Sequence, residues 1–128
     1  MSTSAAAELA LDKSDQERIC RYSYLINRRN QLQASMAVAT RERDNQKDAQ
    51  DDLEEIELLG ELPHVSVKVG HAFLHVPVAI AQSHCKRLLE KADRESSDCK
   101  CELERSEKEM QVLKNILHSK FGNAIRLD

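Results

Sequence analysis

The sequence predicts a mostly α-helical fold: an antiparallel two-helix coiled coil whose arms are joined by a single β-hairpin. Three observations predict it. Ala, Glu, Leu, Lys and Arg make up nearly half of the 128 residues, a share associated with long helices and coiled coils. All helix breakers but Gly122 fall between Gly60 and Pro77, so residues 2–59 and 78–121 contain neither Gly nor Pro. Between them, a short stretch changes its apolar period to two.

The second long segment has the clearer seam. Alternate steps of three and four from Val78 reach Ala81, Cys85, Leu88 or Leu89, Ala92, Ser96, Cys99, Leu103, Ser106, Met110, Leu113 and Leu117. Most are apolar, and the mean step is the coiled-coil period of about 3.5. Pro77 suits the first turn of this helix, which is assigned to residues 77–121. The first helix is assigned to residues 14–60. Ser14 and Glu17 have capping-box spacing, and Gly60 is the stop. Its stripe is Ile19, Tyr22, Leu25, Ile26, Leu32, Ala39, Leu53 and Ile56, with Gln46 on the same seven-residue edge. Thr40 to Asp52 is almost wholly polar, so packing is expected to be weak there. Residues 1–13 are expected to form a flexible tail, and 122–128 another.

Residues 61–76 are assigned to the hairpin. Val65-Ser-Val-Lys-Val69 alternates as a strand does. Gly70-His71 makes a two-residue turn with Gly first, as type II′ requires. The return strand begins at Ala72, so Val69 faces Ala72, Val67 faces Leu74 and Val65 faces Val76. One face is then wholly apolar; Ser66, Lys68, Phe73 and His75 take the other. A lone two-stranded sheet is marginal and has two unpaired edges. The hairpin therefore reads as an element built to pair with other chains, through Val65, Val67, Val69, Phe73, Leu74 and Val76. Mirroring the chain about the turn places Leu53 against Leu89, Ile56 against Cys85, Ala39 against Leu103, Leu32 against Met110 and Leu25 against Leu117.

At this point the residues resemble a known family. Helix, single hairpin, helix is the order of a beta-class prefoldin subunit. Leu117-His-Ser-Lys-Phe-Gly-Asn-Ala-Ile-Arg-Leu127 is similar to that family's C-terminal end. Val69-Gly-His-Ala-Phe73 with His75-Val-Pro77, and Asp48-Ala-Gln-Asp-Asp-Leu53, are similar to its turn and to the acidic end of its first helix. The likeness spans about residues 14–127. It implies a subunit of a cytoplasmic hetero-hexamer of two alpha and four beta chains. The hairpins assemble into an intersubunit β-barrel, and the coiled coils hang as tentacles. The tentacle ends hold unfolded proteins such as actin and tubulin for the cytosolic chaperonin, without ATP. The seam departs from this pattern at Cys85, Ser96, Cys99 and Ser106, where stronger apolar residues are expected.

Other chemistries find little support. The net charge is −3, which gives no basic field for nucleic acid or an anionic membrane. No 18-residue apolar run exists to span a bilayer, and the N-terminus lacks the basic and apolar regions of a signal peptide. The four cysteines are therefore expected to be reduced thiols. Cys99 and Cys101 sit about 200° apart on a helix and cannot share a metal ion. His71 and His75 fall in hairpin sequence, where i,i+4 spacing separates them by about 13 Å. No nucleotide or nucleophile-elbow fingerprint occurs, so no enzyme, metal or cofactor is expected. The run Asp51, Asp52, Glu54, Glu55, Glu57 and Glu61 reads either as a solvated helix end or as a docking face for a basic partner.

The chain ends carry Leu9, Leu11, Ile19 and Tyr22 at one terminus and Leu117, Phe121, Ile125 and Leu127 at the other. The mirror rule gathers both sets some 60 Å from the hairpin, at helical rise over about forty residues. They read either as ordinary coil packing or as an apolar tip for unfolded clients. The resemblance favours the client-binding reading, most of all for Phe121, Ile125 and Leu127. The rival to a chaperone subunit is a structural coiled-coil scaffold or tether with a fixed partner. A scaffold has no need of an all-apolar hairpin face.

Overall fold

The structure, a computed structural model, describes residues 12–60 and 63–124. Its elements are α1 (Lys13–Leu59), β1 (His64–Val69), β2 (Ala72–Pro77) and α2 (Val78–Phe121), followed by a 3₁₀ turn at Gly122–Ala124. The predicted order and fold class are those observed, with corrections at the boundaries.

Asp12, not Ser14, caps α1. Its Oδ1 accepts the backbone N–H of Asp15 at 2.8 Å, and its carbonyl accepts Gln16 N–H at 3.1 Å. Asp is among the best residues for this position, because its carboxylate satisfies an orphan donor and opposes the positive helix end. At the other end Gly60 adopts φ +64° and donates its N–H to the Ile56 carbonyl at 3.0 Å. This is the left-handed C-terminal cap that Gly adopts without steric cost. Pro77 closes β2, paired with His64, and α2 starts at the next residue.

The hairpin register is the predicted one: Val65 with Val76, Val67 with Leu74 and Val69 with Ala72. Gly70 has φ +63°, and among the described residues no non-glycine has positive φ. This fits a type II′ turn and excludes type I′, which needs two positive values. His71 stands in that turn, and His75 is in β2 opposite Ser66.

Two compact units make up the chain. One, the terminal unit, holds α1 up to Ala34 and α2 from Cys99. Tyr22, Leu25 and Met110 form its buried cluster, with Ile26 and Leu113 packed against it; Leu32, Ser106 and Leu117 are also buried. The other, the hairpin unit, spans Ser35–Asp98. Its cluster is Leu53, Ala81 and Cys85, joined by Ala49, Val78 and three hairpin valines, Val65, Val67 and Val76. In α1 no residue between Ala39 and Leu53 is buried, as the polar run there predicts. Every predicted seam position of α2 is buried or half-buried.

The mirror rule needs correction along the helices. Met110 packs with Tyr22 and Leu25 rather than with Leu32. Arg28 meets Glu102, where mirroring about the turn calls for residue 113. The reason is that the arms are unequal. Four residues, 60–63, separate α1 from β1, whereas β2 runs directly into α2. The hairpin and the helix pair therefore have different mirror points, and the offset is already present where the helices leave the sheet.

Candidate assembly surface

Alternation in β1 and β2 puts Val65, Val67, Val69, Ala72, Leu74 and Val76 on one face. The structure divides the proposed oligomerisation residues into two groups. Val65, Val67 and Val76 are half-buried and pack on the Leu53–Ala81–Cys85 cluster. Val69, Phe73 and Leu74, nearer the turn, are 49%, 68% and 51% exposed. Phe73 lies on the opposite face to the other two. The first group thus fixes the hairpin on its own helices, and the second leaves large apolar side chains in water.

Between the hairpin and α2 lies an open groove of about 450 Å3. Val67, Val69, Leu74 and Val76 line it from the strands. From α2 it is lined by Ile80, by Ser83 and His84 one turn on, and by Arg87 two turns on. Ile80 is itself exposed. The Arg87 guanidinium reaches His84 Nδ1 at 3.2 Å. Sequence reasoning missed these α2 residues because they lie off the seam, next to it. Their i, i+3, i+4, i+7 spacing from Ile80 is a second stripe that could have been read.

At the end of α1, Leu58 and Leu59 are exposed beside the acids Asp51, Asp52, Glu54, Glu55 and Glu57, all solvent-facing. Glu57 accepts a hydrogen bond from Gln82 Nε2 at 2.6 Å; Glu61 lies outside the described residues. Burial raises the pKa of the Cys85 thiol above its ordinary value, so it stays protonated at neutral pH. Cys99 is half-buried, while Cys20 and Cys101 are exposed. Among the described residues no three His, Cys, Asp or Glu side chains converge as a metal-binding set, and no helix is long and apolar enough to cross a membrane.

The terminal unit is built differently. Of the proposed client-binding residues, Tyr22 and Leu117 are inside the packing, Leu117 completely. Ile19 and Phe121 are half-buried. Leu9, Leu11, Ile125 and Leu127 lie outside the described residues. Two double-hydrogen-bonded ion pairs tie the helices: Arg21 to Glu109 at 2.8 and 3.0 Å, and Arg28 to Glu102 at 2.8 and 3.0 Å. Arg21 also lies 5.1 Å from the Tyr24 ring centroid, a cation–π contact. The hydrogen bonds from Arg28 and Arg21 hold the carboxyls of Glu102 and Glu109 below their usual range. Asp15 is only 2% exposed at its side chain and accepts from both Arg18 (2.8 Å) and Lys120 (3.0 Å). Burial alone would raise its pKa; the Lys120 and Arg18 hydrogen bonds and charges outweigh that and lower it. The repeat of Arg21 and Arg28 seven residues apart, matched by Glu102 and Glu109, was legible in the sequence as paired flanking positions.

A search of curated proteins and a search of solved structures each return no match. The family profile described as "Prefoldin subunit" matches residues 16–124. The match covers both helices and the hairpin between them, and on that ground this chain belongs to the prefoldin subunit family.

Proposed function

We propose that this chain is a beta-class subunit, most similar to prefoldin subunit 4, of a hetero-hexameric, ATP-independent co-chaperone in the cytoplasm. It captures unfolded proteins such as actin and tubulin and delivers them to the cytosolic chaperonin. Its hairpin joins those of neighbouring subunits in a shared β-barrel, through Val69, Phe73 and Leu74 with Val65, Val67 and Val76 behind them. Clients are held at the helix ends farthest in sequence from the turn. There Ile19 and Phe121, with Leu9, Leu11, Ile125 and Leu127, offer apolar contact. Tyr22 and Leu117 contribute only where the helix ends part.

One observation supports this above others. A single hairpin, set between two long helices, turns large aliphatic and aromatic side chains to water, and among the described residues neither of its strand edges is paired. Such a face is a contact surface for other chains. A fixed scaffold or tether gains nothing from it.

The test is co-expression with the other prefoldin subunits, native mass spectrometry of the complex, and suppression of aggregation of unfolded actin. The wild-type chain is expected in a hexamer. Ending the chain after Phe121 removes Ile125 and Leu127 but keeps Lys120 for Asp15. It should leave the hexamer intact and weaken protection of actin. Full protection by that variant would overturn the client assignment. A wild-type chain that forms no complex with prefoldin subunits would overturn the whole reading.

A further inference from the structure

We infer that the groove between the hairpin and α2 selects its occupant by charge: it takes a segment of a neighbouring subunit whose buried face is apolar and which presents a carboxylate to Arg87. This rests on the prefoldin-subunit reading and adds to it the chemistry of the partner. The groove has an aliphatic floor, represented by Val69, Leu74 and Ile80, and a rim of Ser83, His84 and Arg87. No acid lines it. Arg87 is solvent-facing, and among the described residues its guanidinium pairs with no carboxylate. Among those residues its side-chain hydrogen bond is to His84 Nδ1. Arg can only donate, so this contact uses the lone pair of His84 and leaves the other guanidinium N–H groups to water.

Water satisfies them only while the groove is open. A segment that fills the aliphatic floor also covers its rim. It then strips solvent from a full positive charge beside an apolar wall. A buried charge without a counter-charge opposes association. A partner that supplies a carboxylate converts the same event into a charge-assisted, two-point hydrogen bond. The groove thus rejects apolar segments that lack an acid more strongly than it rewards those that have one. That is how specificity among related partners is obtained. Prefoldin subunits that share one fold would compete for this groove on apolar fit alone. A single guanidinium at its rim separates them by charge.

The experiment uses the full chain co-expressed with the other prefoldin subunits and read by native mass spectrometry. Arg87→Glu should lower incorporation at limiting concentration by at least roughly tenfold, as removal of one member of a covered charge pair does. Arg87→Lys should retain most of it. Because Arg87 faces solvent, circular dichroism of both variants should match wild type. A photo-crosslinker at position 80 then identifies the neighbouring segment, which should contain Asp or Glu. Reversing that acid to Lys should restore incorporation of Arg87→Glu. If Arg87→Glu assembles like wild type, if the crosslinked segment has no acid, or if the reversal fails to rescue, the charge selection is wrong and the subunit reading stands. If wild type does not co-assemble, both fall.

Discussion

The terminal unit and the hairpin unit are built from the same two helices, yet they dispose of their polar and apolar groups in opposite ways. In the terminal unit the strong seam residues Leu25, Met110 and Leu117 are buried, and four cross-helix or capping carboxylates have cationic or backbone partners. In the hairpin unit the seam narrows to Ala39, Leu53, Ala81, Cys85 and Ala92. Phe73, Leu74, Ile80 and Leu58 are left in water, and Arg87 pairs with no carboxylate among the described residues. The first arrangement buries its strong seam within one chain, although Tyr24 and Val112 stay exposed and the buried Arg29 Nε has no partner among the described residues. The second leaves apolar side chains of its hairpin open to contact with other chains. The same two helices thus contribute to one unit with a buried aliphatic seam and to another whose large apolar side chains stay partly exposed.

Substitutions in the two units should have opposite signatures. Leu74→Asp should abolish incorporation into the proposed complex with other prefoldin subunits and leave helicity and the melting midpoint nearly unchanged, since Leu74 is half-exposed in the free chain and would be buried there as a charge. Val67→Asp should damage both, because Val67 also packs on the Leu53–Cys85 cluster. A Leu74→Asp chain that still assembles would break the comparison.

Leu25→Ala is the converse. Leu25 is buried against Tyr22 and Met110, so the loss should be about 2–5 kcal/mol of folding stability, seen by thermal or denaturant melting. Assembly at low temperature should survive. A loss below about 1 kcal/mol, the range of surface substitutions, would mean that the terminal cluster is not a core.

Thiol labelling sharpens the contrast at smaller scale. Cys20 and Cys101 are exposed and should alkylate quickly at pH 8. Cys85 is buried with a raised pKa and should react at least roughly tenfold more slowly, because the thiolate is the reactive form. Equal rates for all four thiols would contradict the packing of Val65, Val67 and Val76 over it.

Acid titration should act on the terminal unit. Asp15, Glu102 and Glu109 have lowered pKa values in the folded chain. Their contribution is therefore fully present above the ordinary values of 3.8 and 4.5 and lost as pH falls through the lower folded values. The melting midpoint should hold from neutrality to about pH 4.5 and decline below it. Asp15→Asn should remove part of that decline. Raising salt should weaken the exposed Arg21–Glu109 and Arg28–Glu102 pairs only slightly. A decline that begins near pH 6 would overturn this assignment.

Periodicity made most of the fold legible. The position of Gly and Pro located the hairpin, alternation set its register to the residue, and three-four spacing found every seam position of α2. The N-cap was misread because Ser14 and Glu17 have the right spacing, while the deciding interaction, Asp12 with the Asp15 amide, is a backbone contact that any nearby Asp, Ser or Thr could supply. The helix register was misread because a mirror about the turn assumes equal arms. At the surface, the sequence pointed to the hairpin face, whereas the groove's second wall, the Ile80, Ser83, His84 and Arg87 stripe beside the α2 seam, was overlooked next to the stronger seam, and only packing brings that stripe against the strands. Only packing shows that Val65, Val67 and Val76 serve the chain's own core while Val69 and Leu74 do not.

The direct passage from Pro77 into Val78 has a kinetic consequence. No linker intervenes between β2 and α2, and the proline ring fixes φ at the junction. The two walls of the groove, Leu74 and Val76 on one side and Ile80, His84 and Arg87 on the other, are consecutive parts of one continuous backbone, held in step before any partner arrives. A neighbour therefore meets a surface already in its docking shape, and little ordering entropy remains to be lost on contact. Association should proceed as a single bimolecular phase whose rate rises linearly with partner concentration. Inserting glycines between Pro77 and Val78 should slow that phase while leaving every contact residue in place.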